Sequence, residues 1–149
     1  AKRLYQEAYD LQVNGFTDAA IEKYQASIDV YATAKAYTFL AWAYSTKREY
    51  ELAIEYCKIA IQLDPDYGNP YNDIGAYLIE LQRDEEAMPF LLKAIEAKNY
   101  DCRFYPYYNL GKLHLKYNRL EEARQCFMNA IDLKPEFSAA SYELEQLNM

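Results

Sequence analysis

The chain has 149 residues, 52 % of them hydrophobic, which is enough for one ordinary domain with a core. Its net charge at pH 7 is −7, from 16 basic and 23 acidic residues, and this balance argues against binding to a nucleic-acid backbone. The 4 glycines and 5 prolines are too few for a sheet protein rich in tight turns, and no apolar run is long enough for a transmembrane helix.

Small residues recur along the chain at a fixed spacing. In each of four units, a small residue is followed by a second one 12 positions later and by a third after another 7 positions. The four sets are Ala8, Ala20 and Ser27; Ala41, Ala53 and Ala60; Gly75, Ala87 and Ala94; and Gly111, Ala123 and Ala130. The middle residues of successive sets lie 33, 34 and 36 positions apart. A repeat of this length predicts a stack of similar supersecondary units.

Each unit contains two apolar stripes with helical spacing. In the second unit, Tyr37, Leu40, Ala41 and Tyr44 follow the i, i+3, i+4, i+7 pattern of a helix, and a second stripe begins near Ala53. The two stripes are separated by a short polar turn, so each unit is predicted to be a pair of antiparallel helices. The small residues are expected where these helices cross closely.

The turns between the paired helices require a residue in the left-handed conformation. Gly15 and Asn118 suit that conformation, whereas Arg48 and Gln82 suit it less well. The last stretch, "FSAASYELEQLNM", predicts a final helix that covers the end of the stack. We therefore expect an all-α chain without a sheet and with nine helices, at about residues 2–14, 17–31, 35–47, 51–63, 69–82, 85–98, 104–117, 120–133 and 138–147.

Three prolines fall within predicted helices. Pro70 and Pro106 lie in the first turns of their helices, where proline is tolerated. Pro89 lies about one turn inside its helix, where proline removes a backbone hydrogen bond. We expect a mild kink or one lost bond at Pro89, not a break.

The pattern resembles the tetratricopeptide repeat (TPR). The resemblance rests on the ladder of small residues, on the period near 34, and on Pro65 and Pro135, which close two units. It implies a right-handed α-solenoid in a single domain over 1–149, with repeats at about 1–33, 34–67, 68–101 and 104–137 and a capping helix at about 138–147. The chain departs from the pattern at Glu7, at Asn99 and in an enlarged loop, "EAKNYDCRFYP".

No pattern of residues indicates catalysis, a metal or a cofactor. The single histidine, His114, occupies a position that is apolar in the other units, so a partly buried structural role is expected. The chain contains none of the common catalytic or phosphate-binding motifs, and Cys57, Cys102 and Cys126 form no CxxC pair. The cysteines are expected to be free thiols in a reducing compartment. The sequence therefore predicts that the chain is not an enzyme.

The resemblance implies that the first helix of each unit lines a concave groove, which holds an extended peptide or a helix of a partner. Spacing from the small residues gives the groove-facing side chains. The candidates are Tyr5, Tyr9, Thr38, Trp42, Asn69, Asn72, Asp73, Tyr105, Tyr108, Asn109, Lys112 and Lys116. Trp42 and Tyr9 are expected to be apolar anchors, and Asn72 and Asn109 to bond the backbone of a ligand. Alternatively, the tyrosines are packing residues of the family.

Lys112 and Lys116 lie four residues apart on one helix face and are expected to attract an acidic ligand group, although a solvated edge is an alternative. Some members of the family clamp the terminal carboxylate of heat-shock chaperones with Lys, Asn and Arg side chains. This chain lacks the cations at the matching positions, so we do not expect that clamp. Those positions hold Tyr5, Asn69 and Asp73 in one alignment and Thr38, Tyr105 and Asn109 in the other.

Two other functions stay open. The chain could be a structural module that self-associates through its ends or outer face, or a regulatory domain of a longer multidomain protein. We expect a monomer or weak homo-oligomer with a protein or peptide partner, without nucleic acid and without insertion into a membrane. The chain begins without Met and inside a predicted helix, so we expect it to be part of a longer protein. A cytoplasmic location is expected, although a targeting segment could lie outside the chain.

Overall fold

A computed structural model describes residues 2–149, and over this range the chain forms nine α-helices. Their bounds agree with the predicted ones within two residues. The helices are α1 (Lys2–Val13), α2 (Thr17–Val30), α3 (Ala34–Thr46), α4 (Tyr50–Leu63), α5 (Asn69–Glu80), α6 (Asp84–Glu96), α7 (Phe104–Lys116), α8 (Leu120–Leu133) and α9 (Ser138–Leu147). The prediction of an all-α chain is confirmed. Between residues 2 and 149, β pairing is restricted to one isolated parallel bridge, from Tyr67 to Asn99.

The helices pack as a series of hairpins. Each helix contacts the helices before and after it in the chain, and α1, α3, α5 and α7 also contact one another in order. The first helices of the four hairpins therefore form one continuous layer, called here the inner layer. Helices α2, α4, α6 and α8 lie on its other side and are called the outer layer. This arrangement is the predicted α-solenoid.

The small residues lie at the helix crossings, as expected. Ala8, Ala41 and Ala123 are fully buried. A Cβ added to Gly75 would lie 2.5 Å from Cδ2 of Leu91, and one added to Gly111 would lie 2.7 Å from Cε1 of Phe127. At these two crossings a methyl group would overlap the Leu91 or Phe127 side chain, so glycine leaves the space that the larger side chain of the facing helix occupies.

All four hairpin turns have a residue in the left-handed backbone conformation at the same position of the turn. Gly15 has φ 88°, and Arg48, Gln82 and Asn118 have φ between 60° and 62°. In each turn the next residue donates its N–H to a carbonyl five positions earlier, as from Phe16 to Leu11 at 2.9 Å. These bonds satisfy carbonyl groups at the helix end that would otherwise have no partner. They explain why two unfavourable side chains, Arg48 and Gln82, nevertheless adopt the left-handed conformation.

The remaining local predictions concern Pro89, His114 and α9. Pro89 is exposed, and α6 continues past it from Asp84 to Glu96, so the helix is not broken. His114 is half-buried, and burial together with the Arg119 guanidinium lowers the pKa of its imidazole. Helix α9 covers the end of the stack with Ala140, which is fully buried.

Candidate protein-binding groove

At the N-terminal end of the inner layer, four aromatic side chains of α1 and α3 form a continuous surface, called here the aromatic patch. Its members are Tyr5, Tyr9, Phe39 and Trp42. Phe39 is central: its ring centroid lies 5.4 Å from that of Tyr5, 5.8 Å from that of Tyr9 and 5.7 Å from that of Trp42. Trp42 remains 37 % exposed, so part of its ring is free to contact a partner.

The aromatic patch rests on a buried support. The hydroxyl of Tyr24 donates a hydrogen bond to Oε1 of Gln12 at 2.8 Å, and the Tyr24 ring lies against Tyr5 and Phe39. Burial raises the pKa of Tyr5 to about 12. Packing against the buried Tyr24 ring holds Tyr5 and Phe39 in fixed orientations, which reduces the entropy lost when a ligand binds.

Thr38 is placed in the packed interior instead of on the accessible surface. It is 3 % exposed, and its hydroxyl donates a hydrogen bond to the carbonyl of Ala34 at 2.7 Å. The bond turns the side chain back onto its own helix. Thr38 therefore supports α3 and does not contribute to the accessible lining.

In the middle of the inner layer, two amides join neighbouring units. Nδ2 of Asn109 on α7 donates a hydrogen bond to Oδ1 of Asn72 on α5 at 3.0 Å. Asn72 is 7 % exposed, and its amide also hydrogen-bonds the carboxyl of Asp73. Burial raises the pKa of Asp73 to about 7, and the Asn72 bond offsets only part of that increase. Asn72 thus lies beneath the groove surface and supports it, whereas Asn109 is half-buried and lines an adjacent cleft.

The two predicted lysines have different surroundings at this cleft, which has a volume of about 280 Å³ between α5 and α7. Nζ of Lys116 donates a hydrogen bond to Oδ2 of Asp84 at 2.7 Å, and the hydroxyl of Tyr117 donates to the same oxygen at 2.6 Å. Nζ of Lys112 instead lies 5.4 Å from the ring centroid of Tyr108. The charge of Lys116 is therefore compensated within the chain, and Lys112 is better placed to meet an acidic group.

Tyr105 and Tyr108 belong to a second aromatic cluster, near the C-terminal end. Phe137 lies 5.7 Å from Tyr105 and 5.2 Å from Tyr108, between ring centroids, and Phe104 lies 4.4 Å from Tyr105. Tyr105 is 43 % exposed. The cluster joins the start of α7 to the start of α9, so its first role is to hold the capping helix.

The enlarged loop, residues 97–103, is ordered by backbone contacts that the repeat pattern did not reveal. The Arg103 guanidinium donates hydrogen bonds to the carbonyls of Ile95 at 2.9 Å and Tyr100 at 2.8 Å, and to that of Ala97. The N–H of Gly68 donates to the carbonyl of Asn99 at 2.9 Å. Arg103 thereby places a positive charge at the C-terminus of α6, where it interacts favourably with the negative end of the helix dipole.

Between the 97–103 loop and α3 lies a cleft of about 570 Å³, called here the loop cleft. Asn69, one of the predicted groove residues, lines it together with residues of α3, of the link before α5 and of the 97–103 loop. The lining consists of Lys35, Phe39, Tyr67, Asn69, Lys98, Asn99, Tyr100, Asp101, Cys102 and Arg103. Phe39 belongs both to the aromatic patch and to the loop cleft, so the two surfaces are continuous.

The described residues, 2–149, contain no cluster of three His, Cys, Asp or Glu side chains that could hold a metal ion. Cys57, Cys102 and Cys126 are free thiols, and burial raises the pKa of Cys57. Within the same range, no helix has both the length and the apolar character needed to cross a membrane.

Comparisons with known proteins agree with this fold. PilF, a type IV pilus assembly protein of Pseudomonas aeruginosa, is 28 % identical over 116 residues, which cover 78 % of this chain and 46 % of PilF. A solved structure of Pseudomonas aeruginosa PilF superposes with a TM-score of 0.90 at 25 % identity, over 98 % of this chain and 66 % of that one. The first TPR of Spaghetti (RPAP3), bound to an HSP90 peptide, has a TM-score of 0.70 at 18 % identity, over 78 % of this chain and 90 % of that one.

The STIP1 homolog of Dictyostelium discoideum is 31 % identical over 108 residues, which cover 68 % of this chain and 19 % of that protein. The chain thus spans less than half the length of these two curated relatives. Profiles described as tetratricopeptide repeat match residues 34–67, 69–101 and 104–137, which together are more than half of the chain. With four helical hairpins, their shared turns and these matches, the chain belongs to the tetratricopeptide repeat family.

Proposed function

We propose that the chain is a non-catalytic protein-interaction scaffold and that its inner layer binds an extended or helical segment of a partner protein. The observation that carries this proposal is the aromatic patch, where Trp42 remains 37 % exposed while its ring packs against Phe39. Trp and Tyr are the residues that most often anchor protein interfaces. A fixed aromatic surface of this kind suits an apolar side chain of a partner.

The similarity to a type IV pilus assembly protein favours a partner that belongs to a larger protein assembly. The compartment of that assembly stays a prediction, with the cytoplasm as the expectation from sequence. Self-association through the outer layer is the competing function, and a test must separate it from groove binding.

The test compares one groove variant with one variant of the outer layer. Partners are first captured from a lysate of the source organism, identified and purified, and their affinity is then measured by calorimetry. Trp42→Ala should weaken binding by about 2 kcal/mol or more if Trp42 is an anchor. Glu55→Arg changes an exposed residue of α4 and should have little effect.

Two further measurements complete the test. Urea denaturation shows whether Trp42→Ala has weakened the fold itself, and Tyr9→Ala provides a second change in the aromatic patch. Sedimentation velocity of the wild type and of Glu55→Arg measures self-association. If Glu55→Arg abolishes binding or dissociates an oligomer, while Trp42→Ala binds like the wild type, the outer layer carries the function and the groove proposal is wrong.

A further inference from the structure

Two lysines line the loop cleft, one on α3 and one in the 97–103 loop. Lys35 and Lys98 are exposed and take part in none of the ion pairs found among residues 2–149. With 23 acidic residues against 16 basic ones, carboxylates are abundant on this chain. The absence of such a partner at Lys35 and Lys98 therefore leaves positive charge available in the cleft.

The rest of the lining reinforces this charge. Arg103 adds a third cation, which three backbone carbonyls hold in place. Asp101 is the acidic residue among the lining side chains, so the cleft has more positive than negative charge in a chain whose net charge is −7. Nζ of Lys35 lies 5.1 Å from the ring centroid of Tyr5, a contact that orients its ammonium group without neutralising it.

Between these cations the walls are aromatic. Phe39 and Tyr67 are half-buried, and Tyr100 is 6 % exposed. The Tyr67 and Tyr100 hydroxyls are uncharged at neutral pH, as tyrosine hydroxyls ordinarily are, so they do not repel an anion. A cleft with aromatic walls and unpaired lysines at its rim complements a segment that carries both carboxylates and apolar side chains.

We propose that the loop cleft binds an acidic segment of the partner, with Asp or Glu carboxylates beside Lys35 and Lys98 and an apolar side chain against Phe39 and Tyr67. The proposal rests on the proposed function and assigns a role to the 97–103 loop. Because Phe39 also belongs to the aromatic patch, the same segment continues from the loop cleft onto Trp42. The selectivity comes from charge complementarity, which steers association and disfavours basic segments.

The test uses a display library of random 16-residue peptides, selected on the immobilised full chain. Three proteins are compared: the wild type, Lys35→Glu with Lys98→Glu, and a control with Lys58→Glu and Lys93→Glu. Lys58 and Lys93 are exposed residues of α4 and α6, and the two double variants have the same net charge. The affinity of one enriched peptide is then measured by fluorescence anisotropy, at low and at high salt.

We expect the wild type and the control to enrich Asp and Glu and to deplete Lys and Arg, and the loop-cleft variant to lose or invert this preference. For a selected acidic peptide, the loop-cleft variant should bind at least about tenfold more weakly, and the control within about twofold of the wild type. Added salt should weaken wild-type binding, because the Debye length falls from about 10 Å at 0.1 M to about 3 Å at 1 M.

The possible failures can be told apart. If enriched peptides are neutral or basic but lose affinity on Trp42→Ala, the groove binds peptides and the acidic preference is wrong. Equal losses in the two double variants would also overturn the preference, since net charge alone would then explain them. If no peptide is enriched, or if binding is insensitive to Trp42→Ala, both this inference and the proposed function fail.

Discussion

Gly68 lies directly against Tyr100: a Cβ added to Gly68 would be 2.4 Å from Cβ of Tyr100. Beside this contact, the N–H of Gly68 donates to the carbonyl of Asn99, and the N–H of Asn99 donates to the carbonyl of Asp66, both at 2.9 Å. The link between the second and third hairpins is therefore joined to the loop between the third and fourth. This junction forms one wall of the loop cleft.

Replacing Gly68 by alanine should push the 97–103 loop away and destabilise the chain. The added methyl group overlaps a side chain close to its own backbone, so we expect a loss of about 1–3 kcal/mol in the free energy of unfolding. Urea denaturation measures this loss. In a Tyr100→Gly background the loss should be smaller, because all the overlapping side-chain atoms, Cβ included, are removed. Equal losses in both backgrounds would show that Tyr100 is not the obstacle.

Ala123 provides a similar test at a helix crossing. It is fully buried between α7 and α8 and packs in the cluster that contains Phe127. Ala123→Leu should overpack this crossing and lower the free energy of unfolding by about 1–3 kcal/mol. Glu136→Ala, an exposed change outside the helices, should stay within about 0.5 kcal/mol of the wild type. If chemical denaturation finds the two variants equally stable, the repeat alignment has the wrong register.

Asp73 should make the chain less stable as the pH rises through neutrality. Its folded-state pKa is raised to about 7, whereas an unfolded Asp has a pKa of about 3.9. Between these values the folded state binds more protons than the unfolded state, so the free energy of unfolding falls with increasing pH. Asp73→Asn should reduce that dependence and be more stable than the wild type at pH 8. Urea titrations at pH 4, 6 and 8 provide the measurement, and parallel curves for the two proteins would contradict it.

Asp84 should have the opposite effect. Hydrogen bonds from Lys116 and Tyr117 lower the pKa of Asp84 in the folded state. Its contribution is therefore fully present above the unfolded pKa of about 3.9 and is lost as the pH falls through the folded value. Asp84→Asn should be less stable than the wild type at pH 7, and the difference should shrink below about pH 4. A difference that stays constant down to pH 2 would rule out ionisation of Asp84 as its cause.

The repeat pattern predicted the helices because it records local contacts. Ala41 and Ala53 are small since two helices of one hairpin cross there, and that constraint recurs in every unit. Arg48 and Gln82 suit the left-handed conformation less well than Gly15 and Asn118. They adopt it nevertheless, because the hydrogen bonds of the turn outweigh the preference of the side chain. The stripe spacing also indicated that Tyr9 and Trp42 share one surface, and their ring centroids lie 6.3 Å apart.

The sequence did not reveal how deeply the groove residues are buried. Spacing assigns a face of a helix, but the depth of that face depends on the neighbouring hairpin. Thr38 is thus buried although Trp42, on the same helix, is partly exposed. Lys116 and Lys112 share a helix face, yet Asp84, 32 residues away, neutralises one and not the other.

By itself, the sequence determined the nine helices, their pairing and the crossing points, because these depend on spacings that repeat in every unit. Only the tertiary structure decided the shape of the loop cleft and the ionisation of Asp73. Arg103 holds the carbonyls of Ile95 and Tyr100, and Gly68 touches Tyr100, in contacts that occur once and have no period to detect. The pKa of Asp73 depends on its desolvation by other parts of the stack. Non-repeating contacts and desolvation arise from the assembled chain, so they are absent from any local pattern of residues.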